Sequence, residues 1–249
     1  MAIKLWLTDP DNKPKPQTER RSFGDTIGTF SIGKSVLNEA TQRNEPVALD
    51  TFRLMTGDKQ VAEAVAQLLG GSADETDSPS EEFVEVITTS AKFEVIVDGP
   101  GGLRSDMKQW VRGKLVHHCD GELFLSHLSN EKLVGTRCTC PELFAERKQM
   151  AKDEMGPKPA IELTFRIAAD PELGKFKLKT GAWTLAAVLH EAEEALEAIG
   201  GEALVVVGLE LVEFVISKGP KKGTQVSYYK PTIDVVKAMS DAIADEPPY

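Results

Sequence analysis

Residues 117–141, HHCDGELFLSHLSNEKLVGTRCTCP, hold all three cysteines and three of the four histidines of a 249-residue chain. Thiolates and imidazoles are the ligands that zinc prefers, and a structural zinc site takes four of them from two close pairs brought together by folding. His117 and Cys119 are two residues apart, so a strand would aim both to one side. Cys138 and Cys140 have the same spacing just before an expected helix, whose free N–H groups would favour thiolate. Cys119, Cys138 and Cys140, with His117 as the favoured fourth ligand, therefore form a candidate site for one structural zinc, with His118 and His127 as alternatives. Two other readings stay open. Cysteines are also small buried hydrophobes, and a Cys–His pair oriented by Asp120 or Asn130 would make a nucleophile.

Other constellations are poorer. GDKQ and DGPGG lack the frame of a phosphate-cradling loop, and no His-Glu-x-x-His pair occurs, so no catalytic set emerges and the expectation is a protein that is not an enzyme. Glu191, Glu193, Glu194 and Glu197 read as the solvated face of a helix, and Trp183 as a core anchor. The 29 Lys and Arg against 39 Asp and Glu give a formal charge of -10, which opposes autonomous grip on duplex DNA because phosphate neutralisation supplies most of that affinity. Two short basic clusters, Lys13, Lys15, Arg20, Arg21 and Lys218, Lys221, Lys222, read as solvated loops. Without a secretory signal or a long apolar run, the expectation is a cytoplasmic protein with no membrane partner and with reduced thiols.

These residues must be positioned by the elements around them. Residues 1–71 read as an extended, partly draped segment ending in a short amphipathic helix, with Asp58 as its cap, Val61, Ala64, Val65, Leu68 and Leu69 on its apolar face, and Gly70-Gly71 as its stop. Residues 72–82, SADETDSPSEE, read as an acidic linker loop. Residues 83–243 read as a strand-rich core. Alternation in AKFEVIV, WVRGKLVHHC, IELTFRI and GKFKLK predicts half-buried antiparallel strands. CPELFAERKQMAKDEM, with Pro141 at the first helical position, and WTLAAVLHEAEEALEAIGG predict helices. ALVVVGLELVEFVIS and the segment after KGPKKGTQ predict a strand hairpin, and residues 244–249 a frayed tail. Strands that dominate, with helices inserted between them, give an α+β fold: mainly antiparallel sheet, a few packed helices and an irregular N-terminal segment.

The landmarks KPKPQT, TGD, DGP, CDG, CTCP followed by ERK, FRIAADPELGKF and TGAW, in that order, resemble the recombination directionality factors of large serine integrases from actinobacterial temperate phages and prophages. The likeness runs from about residue 2 to 235. It implies a switch protein that binds the integrase rather than the attachment sites, with the integrase's coiled-coil arm as the contact, and that favours prophage excision over integration. Relatives carry a further cysteine in the stretch corresponding to MGPKP, where this chain has Pro157, so a zinc site here would need a histidine. Lys221, Lys222, Tyr228 and Tyr229, around the last hairpin, are the expected partner-binding residues. The same set could instead stack bases and contact phosphates in a phage replication or single-strand-binding accessory protein.

Overall fold

The structure is a computed structural model that describes residues 26–244 apart from 78, 79 and 218–221. The basic cluster at Lys13, Lys15, Arg20 and Arg21, the tail beyond Ala244, and Lys218 and Lys221 lie outside the described residues.

The first element is a hairpin of two long strands, β1 (Thr26–Asn38) and β2 (Arg43–Thr56). Residues 26–56, expected to be extended and draped, are extended but paired, from Thr29 opposite Met55 to Asn38 opposite Arg43. Helix α1 (Lys59–Leu69) follows, with the Asp58 carboxylate accepting from the amides of Gln60 and Val61, the cap that the sequence predicts. Gly70 caps its end at φ 79°, and Gly71 follows at φ 101°, where a side chain would strike the Ile87 carbonyl. The acidic stretch is partly structured: β3 (Ala73–Glu75) pairs with β4 (Val84–Ile87) as a small hairpin.

Next come β5 (Lys92–Val97), β6 (Leu103–Val111), β7 (Lys114–Cys119) and β8 (Phe124–Ser126), then α2 (Phe144–Lys152), β9 (Lys158–Ile167) and β10 (Lys175–Thr180). WVRGKLVHHC is therefore not one strand. It turns at Arg112-Gly113, both at positive φ, into the β6–β7 hairpin. Helices α3 (Trp183–Ala186) and α4 (Leu189–Ile199) replace the single predicted helix, because the backbone breaks at Val188, which is exposed rather than facing the core. Strands β11 (Ala203–Val215) and β12 (Gln225–Ala238) form the expected hairpin, and α5 (Met239–Ala244) follows.

The strands join in the order β12-β11-β5-β9-β10-β1-β2-β4-β3. All of these pairings are antiparallel except β1 with β10, so the fold is α+β with a mainly antiparallel sheet. Strand β9 is the branch point. Its C-terminal end pairs with β5 through Arg166 and Ile167, while Lys158–Leu163 pairs with β6, from which β7 and β8 hang as a lobe.

One face of the sheet is the core. Ile161, Leu163, Phe165 and Ile167 of β9 and Phe176 and Leu178 of β10 are buried, as their alternation requires, while Lys175, Lys177 and Arg166 take the other face. Phe30, Phe52, Phe93, Phe165 and Phe176 form the aromatic centre, with ring centroids 5.1–6.2 Å apart. Leu185, Leu189, Ala192 and Leu196 close it from the helical side. Val61 and Val65 before the acidic stretch and Val84 and Val86 after it belong to the same cluster. Among the described residues no helix is long and apolar enough to cross a membrane.

Candidate metal centre

His117 Nε2 and the sulfurs of Cys119, Cys138 and Cys140 all lie within 4.8 Å of one another. The β7 backbone explains half of this. Alternation places His117 and Cys119 on one side and turns His118 to the other, where it meets Ser126 Oγ at 2.9 Å and Asp106 Oδ2 at 3.2 Å. His127 packs edge-on against Phe124, and its Nδ1 accepts from the Ser129 amide. Of the three histidines in the stretch, only His117 faces the sulfurs.

The other half is a loop laid beside β8. Cys138 N–H donates to the Glu122 carbonyl at 2.6 Å, Phe124 N–H to the Thr136 carbonyl at 3.0 Å, and Gly135 N–H to the Phe124 carbonyl at 2.8 Å. The turn that opens this register is set by Asp120, whose carboxylate accepts from the amides of Glu122 and Leu123; those bonds hold its pKa below the usual carboxylate range. Gly121 follows at φ 105°, a conformation that strains any other residue. Arg147 of α2 ties both sides together by donating to the carbonyls of Gly121 and Pro141. Sequence reading passed over this arginine, although it is the middle residue of the ERK landmark.

The geometry can be tested against a metal. Tetrahedral zinc with ordinary bond lengths separates two sulfurs by about 3.8 Å, and a sulfur from a nitrogen by about 3.6 Å. Here Cys119 and Cys140 sulfurs are 3.7 Å apart, and His117 Nε2 lies 3.2 Å from Cys119 and 3.4 Å from Cys140. The donor set is soft, and all three cysteines are free of disulfides. Cys138 Sγ lies within 4.8 Å of the other three donor atoms, so the four residues are compatible with a zinc site.

To bind here a metal must displace the protons of two thiols. Burial is the largest influence on the Cys119 and Cys140 thiols and raises both above the usual range, and the neighbouring Cys138 pushes each further. The expected thiolate-favouring helix start is not beside them: α2 begins at Phe144. Burial, followed by the charges of His127 and His118, lowers His117, which keeps its imidazole neutral and able to ligate. The proposed orienting groups for a nucleophile are engaged elsewhere, Asp120 as above and Asn130 in capping Glu131–Leu133 through the Lys132 amide.

The lobe has little else to hold it. Its buried cluster is Cys119, Phe124 and Cys138, with Met107, Leu133 and Cys140 packed against it, separate from the main core. A group this small cannot offset the entropy of ordering its loops, the situation in which small folds recruit a metal. The other sequence-derived candidates lie on a different hairpin. Tyr228 and Tyr229 sit on β12 opposite Val212 and Leu211, and Lys222 is exposed in the connecting turn.

The described chain is an α+β protein with a mainly antiparallel sheet and a Cys3His cluster on its lobe. The family profile described as Gp3-like, recombination directionality factor-like, matches residues 27–236, from β1 to β12. The chain belongs to this family, and no solved structure matches it.

Proposed function

We propose that the protein binds a large serine integrase assembled on attachment-site DNA and switches it from integration to prophage excision, acting in the cytoplasm of the bacterial host without chemistry of its own. The observation that carries this reading is the family match across every strand of the main sheet. The charge of -10 supports delivery to DNA through a protein partner rather than by direct duplex binding.

The contact surface in this reading is the β11–β12 hairpin, facing the integrase's coiled-coil arm. Strand β5 covers β11 only as far as Gly208, whereas the β11–β12 ladder continues to Val215 and Gln225. The protruding ribbon exposes Leu211, Phe214, Val215, Tyr228 and Tyr229, with Phe214 and Tyr228 in edge contact at 6.5 Å. A two-stranded ribbon with apolar side chains on it has no core of its own and is stabilised by a partner. An amphipathic coiled coil offers the matching surface, and Lys221 and Lys222 would meet its acidic positions.

In the same reading His117, Cys119, Cys138 and Cys140 hold one structural zinc. When bound, it cross-links β7 to the Cys138–Cys140 loop and fixes the lobe; it takes no part in a reaction.

A gel-shift experiment tests the partner claim. At physiological salt the protein alone should leave duplex attachment-site DNA unretarded, and it should supershift the integrase–DNA complex. Tight duplex binding without integrase, weakening steeply as salt rises, would overturn this function.

A further inference from the structure

Two cavities of 590 and 340 Å³ meet at Trp110. The larger lies between the tip of the β6–β7 hairpin and the Glu154–Lys158 connection, with Pro159 and Ala160 of β9 lining it. Gln109 fixes its width by donating to the Glu154 carbonyl at 3.0 Å, and the Arg112-Gly113 turn closes its end. Trp110 is half exposed on a hairpin anchored by the β6–β9 ladder, so the indole stands at a defined place on the surface.

The rim is basic in a protein whose overall charge is -10. Lys108, Arg112 and Lys158 line the larger cavity, and Lys179 the smaller. The carboxylates there are Glu154 and Glu162, and Glu162 already meets Lys177 at 3.6 Å. Lys108 is matched by Asp106 at 3.1 Å, but among the described residues no ion pair holds Arg112, Lys158 or Lys179. The cleft thus combines a flat aromatic wall, an apolar floor and cations held apart from both. An acidic peptide would use the cations and leave the indole and its floor without a matching group.

We propose that this cleft binds a nucleotide unit of single-stranded nucleic acid, the base stacking on Trp110 and the phosphates meeting Lys158, Lys179 and Arg112. Stacking on aromatic side chains is open to every base, and lysines along the strand's path supply the salt-dependent part of the affinity. The site is separate from the β11–β12 hairpin and does not depend on integrase binding.

The test is fluorescence anisotropy of a labelled oligothymidylate of about eight nucleotides, a length a small stacking site can span, with tryptophan quenching measured in parallel at low salt. Trp110→Ala should weaken binding about tenfold and remove most of the quench. Trp110→Phe, which keeps an aromatic face, should retain most of the affinity, and each variant's melting curve checks its fold. Lys158→Ala with Lys179→Ala should flatten the salt dependence. A duplex of equal length should bind far more weakly, since its bases are already stacked. Thymidine monophosphate saturating the quench at the oligomer's concentration would identify free nucleotide as the source; weaker saturation identifies a strand. The proposal is overturned if wild-type protein gives neither quench nor anisotropy change, if a folded Trp110→Ala variant binds normally, if duplex binds equally well, or if polyglutamate displaces the oligomer at comparable concentration.

Discussion

Serine in place of Cys138 is expected to strip the protein of zinc and to unfold the lobe that β7 and β8 build. Wild-type protein should carry one zinc per chain. Removing one ligand leaves three donors, too few to close a structural site, and the lobe's own buried cluster is only Cys119, Phe124 and Cys138 with three partly buried neighbours. Structural zinc contributes an apparent ~10–16 kcal/mol in small domains, which exceeds anything this cluster can supply. Because β6 remains paired to β9, the main core should survive, and the loss should appear as rapid proteolysis between β7 and α2 with a separate low-temperature melting step. Chelation of the wild type should reproduce it. The histidines give an internal control: His117→Ala should release zinc, while His118→Ala, which alters contacts to Ser126 and Asp106 on the opposite side, should retain it. The pH dependence has a defined sign. Burial raises Cys119 and Cys140, so the metal-free lobe keeps both protonated at neutral pH; zinc displaces those protons, and its affinity falls as the solution is acidified. Elemental analysis finding far less than one zinc in intact protein would instead leave the cysteines as buried thiols.

The second large effect belongs to the β11–β12 ribbon. Phe214→Ser combined with Tyr228→Ala should leave the melting temperature unchanged, since both side chains are substantially exposed and lie beyond the last residue that β5 covers. At the centre of an interface such aromatics are each worth about 2 kcal/mol, roughly 30-fold in affinity. The double variant should therefore fail to supershift integrase-bound DNA and fail to activate excision. Lys221→Ala with Lys222→Ala should do much less, because exposed charge pairs contribute about 0–1 kcal/mol. A folded double aromatic variant with wild-type binding would move the interface elsewhere, with the acidic stretch at 72–82 as the next segment to test.

Side chains that repeat with a simple period are legible in the sequence. The alternation of β9 and β10, the cap and stop of α1, and the β11–β12 hairpin follow from local chemistry, and the structure repeats them. The shared direction of His117 and Cys119 also follows from strand geometry. Features set by distant partners were not legible. The β1–β2 segment shows little periodicity because much of its length is a ribbon exposed on both faces, with only the inner residues, such as Phe30, Phe52 and Leu54, in the core. The break at Val188 was hidden because alanines and leucines on both sides favour helix, whereas in the folded chain two separate helices, α3 and α4, each pack against β12. Arg147 is an ordinary surface residue by spacing, and its role depends on two carbonyls, at Gly121 and Pro141, that only the folded lobe brings within reach.

The central claim is directional control of an integrase, and recombination between purified sites measures it most directly. Cognate integrase is incubated with either the phage and bacterial attachment sites or the two prophage-end sites, with and without this protein. Directional control requires a partner that binds one integrase arrangement more tightly than the other, since equal affinity shifts nothing. The account predicts that prophage-end sites recombine efficiently only when the protein is present and that integration falls when it is added; equal effects on both reactions, or none on either, would contradict it.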